Sequence, residues 1–196
     1  MTITAERPGT DFAAARRAMI DSQLRTSGVN DPAVLEAFAR VAREDHVPAA
    51  AQAHAYIDRA IPLGDGHALA APLFHGRMLV EAELRSDDTV LLVSCGSGYL
   101  AALLEGLVAK VTSISAADAA AGKAKGAYSL VLIDGAIEQL PDGLAARVED
   151  AGRLVTGLVE RGVTRLATGR KAAGAVALLP LAEMGIPVLA EFAAPK

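Results

Sequence analysis

The chain has 196 residues, 52% of them hydrophobic, a formal net charge of −4 and one cysteine. That length fits one compact domain with a substantial core; the acidic balance lacks the basic footprint of a nucleic-acid binder, and one cysteine excludes an internal disulfide. With no apolar leader and no uninterrupted apolar run of about 18 residues, the sequence predicts a cytoplasmic protein that binds neither nucleic acid nor membrane.

Residues 1–10 read as a flexible lead-in. Asp11 to Arg25 suits a helix, with Phe12, Ala15, Met19 and Gln23 on one face and Gly28 as its stop. Asp31-Pro32 starts a second helix, Asp as N-cap and Pro in the first turn, and Val34, Leu35, Phe38 and Val41 form its apolar stripe. A third short helix covers Ala49 to His54. Tyr56 to Ala71 reads as irregular, with a turn at Asp65-Gly66. Pro72 opens a helix over Leu73 to Leu84 that turns Phe74, Met78 and Ala82 to the core.

Thr89 to Val93 is an apolar, β-branched run of the kind found in strands buried on both faces. Ser94 to Tyr99 is a tight loop with Gly96 and Gly98, and Leu100 to Val108 resumes as a helix. Strand, glycine loop and helix begin a βαβ unit. Glycines there let a backbone approach a ligand at the carboxyl end of a parallel strand, and the alternative is a tight turn that binds nothing. Further strands are expected at Lys110 to Ser115, Tyr128 to Ile133 and Gly152 to Val159, with a helix over Leu140 to Val148. Val163 to Thr168 and Ala175 to Leu181 form a closing antiparallel pair, and the tail from Ile186 to Ala194 returns to the core through Ile186, Val188, Leu189 and Phe192.

These segments, in this order, resemble the protein-L-isoaspartate O-methyltransferase family. The resemblance rests on Met19 to Leu24, Gly28-Val29, Asp31 and Val34-Leu35; on Arg43-Glu44 with Val47-Pro48; and on Ala55 to Asp58 followed by Ile61 to Gly66. It continues through Val90-Leu91, Gly96 to Tyr99, Ala101-Ala102, Tyr128 to Gly135 and Gly152 to Val155. It implies an α/β fold, a Rossmann-like class I methyltransferase sheet with an N-terminal helical cap. Residues 1–84 would be the cap and substrate-loop region and 85–196 the sheet core. It implies S-adenosylmethionine as cofactor, held at Ser94, Cys95, Gly96, Ser97, Gly98, Tyr99, Ser115 and Asp134, and damaged proteins with isoaspartyl residues as partners.

The chain departs from the family pattern where that chemistry resides. The family loop Gly-Gln-Thr-Ile-Ser becomes Gly66-His67-Ala68-Leu69-Ala70, so the serine linked to transfer is Ala70 and the threonine is Ala68. In the donor motif an acid is replaced by Leu92 and a glycine by Ser94; the acid that holds the donor ribose is Ser115, with Asp118 three residues on as a partial substitute. The span from Ala116 to Tyr128 has room for one crossover connection, which needs at least about 10–12 residues, and not for the family's additional edge strand. Its loss is expected to leave the adenine side open.

Other side chains carry open alternatives. His67 is a candidate acid/base group or substrate contact, or a solvated loop histidine. Asp134 either contacts a ligand or bonds its own turn. A helix N-terminus would lower the Cys95 thiol pKa, although a small residue in a tight loop is the simpler reading. Tyr99 would pack on the donor or over the loop. His46, His54, His67 and His75 lack tight ligand spacing, so the sequence predicts no metal site. Three functions follow: carboxyl methyl transfer, a catalytically degenerate member acting as a binding or interaction module, and donor binding with a changed acceptor at His67.

Overall fold

The computed structural model describes residues 11–194; the lead-in over residues 1–10 lies outside them. Asp11 caps α1 (Phe12–Met19) by accepting from Ala14 N–H at 2.9 Å. The single helix expected to Arg25 instead widens into a π turn at Ile20–Leu24 and tightens to a 3₁₀ turn at Arg25–Ser27. Ser22 and Thr26 hydroxyls bond back to the carbonyls of Ala18 and Ser22, a pattern that bends helices. The wide turn keeps both Ile20 and Leu24 buried. α2 (Pro32–Arg40) starts as read, with Asp31 accepting from Val34 N–H at 3.0 Å.

The segment expected to be irregular contains a hairpin, β1 (Ile61–Gly64) paired with β2 (His67–Leu69) around Asp65-Gly66. Both turn residues have positive φ, 51° and 81°, the requirement of a tight hairpin turn. The strands are too short to show a period of two, which is why the pattern missed them. α3 (Pro72–Glu81) ends earlier than expected, because Glu83 adopts a left-handed φ of 49°.

The main sheet has six strands: β3 (Thr89–Ser94), β4 (Lys110–Ser115), β5 (Tyr128–Ile137), β6 (Val148–Glu160), β7 (Val163–Ala172) and β8 (Ala175–Glu183), ordered β4-β3-β5-β6-β7-β8. The first four run parallel, and β6-β7-β8 close as antiparallel neighbours. α4 (Tyr99–Leu104) follows β3 and is shorter than the expected Leu100 to Val108, because Gly106 turns the chain at φ 79°. Between β4 and β5 there is only α5 (Ala116–Ala120), so β4 is an edge and the additional strand is missing, as the span length predicted. The helix expected over Leu140 to Val148 shrinks to α6 (Asp142–Ala145), and Val148 already belongs to β6, paired with Tyr128.

Alternation along β3 and β5 divides the core in two. Val90, Leu92, Leu130 and Leu132 face the N-terminal helices and α3–α4, while Leu91, Val93, Val131 and Ile133 face α5, α6 and the C-terminal tail. Ile186, Leu189 and Phe192 are buried as expected, but Val188 is 46% exposed.

β5 runs past its expected end at Ile133, where Ala136 and Ile137 pair with Gly157 and Leu158 of β6 on one side and the tail joins on the other. Ala136 N–H donates to Pro187 O at 2.7 Å and Leu189 N–H donates to Ala136 O at 2.8 Å. A Cβ on Gly135 would lie 2.6 Å from the Leu189 side chain, so the tail can lie there only over glycine. Among the described residues no helix is long and apolar enough to cross a membrane.

Candidate functional site

The carboxyl ends of β3 and β4 carry the predicted donor-loop residues, with Asp134 inside the neighbouring β5. Ser94 and Ser115 are direct neighbours across the β3–β4 register, which places the glycine loop beside the end of β4. Gly96 and Gly98 have φ of 96° and 71°, a left-handed backbone that disfavours side chains. Nothing lies within 4 Å of a Cβ built on Gly96, so the loop faces open space there.

The donors of this loop are partly consumed from within. Ser94 Oγ accepts from Gly96 N–H at 3.0 Å, and Ser97 Oγ accepts from Tyr99 N–H at 3.1 Å. Ser115 Oγ accepts from Asp118 N–H at 3.1 Å and so caps α5. Asp118 does not fill the missing acid's place: it is exposed and paired with Lys123 at 2.6 Å, whose hydrogen bond and charge hold its carboxyl below the usual range. The backbone is thus open at Gly96, while its N–H is already taken, and the end of β4 presents no acid.

Tyr99 is not over the loop. It is fully buried beneath it, edge-on to Phe38, His46 and His75, with the Arg43 guanidinium 4.8 Å from its ring centroid. An aromatic side chain at the first position of α4 is held by the apolar space between sheet and cap, and burial raises its phenol pKa.

Asp134 is neither at a strand end nor bonding its own turn. It lies inside β5, 2% exposed, between two buried partners. Cys95 Sγ–H donates to Oδ2 at 3.0 Å, and His75 Nε2–H donates to Oδ1 at 2.7 Å, since an ionised carboxylate only accepts. His75 Nδ1 is buried without a hydrogen-bond partner among the described residues. The Cys95 thiol is pushed up to about 12, first by burial and then by the Asp134 charge. This corrects the lowered thiol expected from a helix N-terminus: α4 has only six residues, and its dipole is overruled. Cys95 is thus a buried donor, with no thiolate to attack at neutral pH.

Burial pushes the Asp134 carboxyl up, but the charge and hydrogen bond of His75, the Cys95 hydrogen bond and the Arg43 charge outweigh it, so its pKa is lowered. A depressed folded-state pKa stabilises the fold above the unfolded value of about 4, and that contribution is lost as pH falls through the folded value. Asp134→Asn should therefore flatten the acid limb. Denaturant midpoints of the two proteins should differ most at neutral pH and draw together as pH falls below about 4 through the lowered folded value; a constant difference would count against an ionised Asp134.

Around this centre the structure brings together residues that the sequence did not single out as functional. Arg43 is fully buried; its Nε–H donates to Ala55 O at 2.7 Å and its Nη2–H to Ala70 O at 2.6 Å. His46 Nδ1–H donates to Ser97 O at 2.9 Å. One short segment thus holds both the Ala70 loop and the glycine loop. The only sequence signal for it was the Arg43-Glu44 to Val47-Pro48 stretch. Ala70 itself is buried and supplies no hydroxyl. His67 does not join the His75–Asp134–Cys95 group; its Nε2–H donates to Glu191 Oε1 at 2.8 Å.

Comparison with known proteins agrees with this architecture. A family model, Protein-L-isoaspartate(D-aspartate) O-methyltransferase, matches residues 14–125. A protein-L-isoaspartate O-methyltransferase from Roseiflexus castenholzii is 38% identical over 133 residues, which is 68% of this chain and only 61% of that protein. One from Koribacter versatilis is 32% identical over 190 residues, covering 84% of this chain and 86% of the relative. Among solved structures, a Plasmodium falciparum protein assigned to the same enzymes, in complex with S-adenosyl-L-homocysteine, superposes with a TM-score of 0.72 at 15% identity, over 93% of this chain and 99% of that one. With its parallel sheet, its glycine loop after β3 and the family match over more than half its length, this chain belongs to the protein-L-isoaspartate(D-aspartate) O-methyltransferase family.

Proposed function

We propose that the chain is a cytoplasmic S-adenosylmethionine-dependent protein carboxyl methyltransferase of weak donor affinity, acting on isoaspartyl residues of damaged proteins. In this reading residues 1–84 carry the acceptor loop and 85–196 hold the donor. The observation that carries it is the open backbone at Gly96, set at the carboxyl end of β3 beside Ser115. A bound sulfonium donor supplies an already activated methyl group, and an acceptor carboxylate is already an anion. The protein's task is then alignment, which needs no general base. Arg43 and His46 serve it by fixing the Ala70 loop and the glycine loop to one segment.

Weak affinity follows from the side chains. A lost charge-assisted hydrogen bond to ribose is worth about 1.5–3 kcal/mol, roughly tenfold to a hundredfold in affinity. Ser94 adds to the loss by taking the Gly96 N–H. That same contact supports a second reading, a degenerate member that serves as a binding or interaction module. A donor-binding protein with a changed acceptor at His67 is the third.

Labelled-methyl incorporation into isoaspartyl and aspartyl peptides separates them. At moderate donor concentration little or no methylation is expected, and Ala70→Ser alone should restore little, because it leaves the donor site unrepaired. Incorporation should then rise in proportion to donor and favour the isoaspartyl peptide. No turnover at any donor level would favour the module, and turnover on another carboxylate the third reading.

A further inference from the structure

Gly96 is the open point of the glycine loop, and both of its neighbours are anchored. Ser97 O accepts from His46 Nδ1–H at 2.9 Å. Cys95 Sγ–H donates to Asp134 Oδ2 in β5 at 3.0 Å. Behind Asp134 stands His75, fully buried on α3, whose Nε2–H donates to Oδ1 at 2.7 Å. Among the described residues the Asp134 carboxylate accepts no other hydrogen bond. At 2% exposed, beneath a cysteine that is itself 3% exposed, it presents no oxygen to a ligand.

We infer that Asp134 is a positioning residue. It holds Cys95, and through it the Gly96 backbone, in the arrangement that receives the donor, while His75 fixes the carboxylate from α3. This rests on the donor-binding reading above. Asp134 and Cys95 act from beneath the loop, in contrast to the direct contacts that the family resemblance implied. Three observations carry the inference. The loop needs an anchor, because Gly96 and Gly98 both hold a left-handed φ and glycine has more backbone freedom to lose than any other residue. The anchor is specific: a thiol is a weak donor, but a carboxylate acceptor makes its bond charge-assisted. The carboxylate is also costly to keep, since it is buried with neither lysine nor arginine bonded to it among the described residues. An apolar side chain of similar volume would serve packing alone better.

The experiment is titration with S-adenosylhomocysteine of the unmodified protein and of variants at Cys95 and Asp134. A loop that visits its binding arrangement a third to a tenth as often binds roughly three- to tenfold more weakly, and that loss is expected for Cys95→Ala. Cys95→Ser keeps a donor for Asp134 and should stay within about twofold of the unmodified protein. Asp134→Asn leaves one acceptor for two donors and should lose about as much as Cys95→Ala. The double variant should lose no more than the larger single change, because both break the same bond. Amide hydrogen exchange reads the loop with no donor present. The N–H groups of Gly96 and Tyr99, each held by a loop serine, should exchange faster in Cys95→Ala and recover in Cys95→Ser. That change should exceed any in the middle of β3, which reports global stability. Equal losses for alanine and serine, additive losses in the double variant, or weaker binding without faster loop exchange would each overturn the proposal. If the unmodified protein binds no S-adenosylhomocysteine, the donor reading fails. Loop exchange then decides alone, and an unchanged rate in Cys95→Ala overturns the role of Asp134.

Discussion

Replacing Asp88 with alanine should destabilise the protein by about 3–5 kcal/mol, the usual cost of leaving one member of a buried ion pair alone. Asp88 and Arg153 are 2% and 3% exposed, and Arg153 Nη2 bonds Asp88 Oδ2 while its Nε–H donates to Ala82 O at 2.8 Å. The same carboxylate accepts from Arg85 N–H at 2.8 Å and from Ser129 Oγ–H at 2.7 Å. It therefore ties the end of α3, the entry to β3, the start of β5 and β6 at the floor of the sheet. Alanine strands a buried guanidinium and two smaller donors together. Asparagine keeps an acceptor for Ser129 and should cost less. The exposed pair Arg170–Glu83, with both side chains more than half exposed, is the control, worth about 1 kcal/mol at most. Denaturant midpoints at constant slope read all three. A loss under about 1 kcal/mol for Asp88→Ala would mean that water reaches Arg153 and that the pair does not organise the sheet.

What was legible in the sequence is what local pattern encodes. The apolar β-branched run at Thr89 to Val93, the Asp31-Pro32 start and the short span after Ser115 each reported their structure through neighbours in the chain. Beyond element ends set by local turns at Glu83 and Gly106, the errors that matter for the site lie where a distant segment completes an element. β5 continues through Asp134 because Ala136 and Ile137 find partners in Gly157 and Leu158 of β6 and in the tail at Pro187 O, and nothing between Tyr128 and Ile137 announces that. The same continuation turns Asp134 from a strand-end residue into a buried one. It is also why nothing in the sequence joins its partners, His75, one of four histidines without ligand spacing, and Cys95, a small residue in a tight loop. Tyr99 was misplaced for a related reason. Its position after the glycine loop is a sequence fact, but the cavity that takes its ring is built by Phe38, His46 and Arg43 from the cap. Glu191 carried no signal at all, since its role depends on a tail that crosses the sheet to meet His67.

Ser115→Glu should raise affinity for S-adenosylhomocysteine by roughly tenfold to a hundredfold, if the donor lies along β3 and β4 as proposed. Ser115 ends β4 opposite Ser94, so a carboxylate there lies beside the glycine loop, where the proposed reading puts the two ribose hydroxyls of the donor. Serine is a weaker substitute, because it carries no charge and one of its two acceptor positions is already used by Asp118 N–H at the cap of α5. Glutamate sacrifices that cap, at about 0.5–2 kcal/mol of stability. Affinity should therefore rise while the melting midpoint falls. Ser115→Ala separates the two effects: it should share the fall in midpoint and show no gain in affinity. Ser94→Gly should add a smaller gain by freeing the Gly96 N–H that Ser94 Oγ now occupies. Because both changes act on bound donor, the double variant should also raise methyl incorporation at a fixed low donor concentration. A Ser115→Glu protein that folds and binds no more tightly would place the ribose elsewhere and remove the main support for donor binding along this edge.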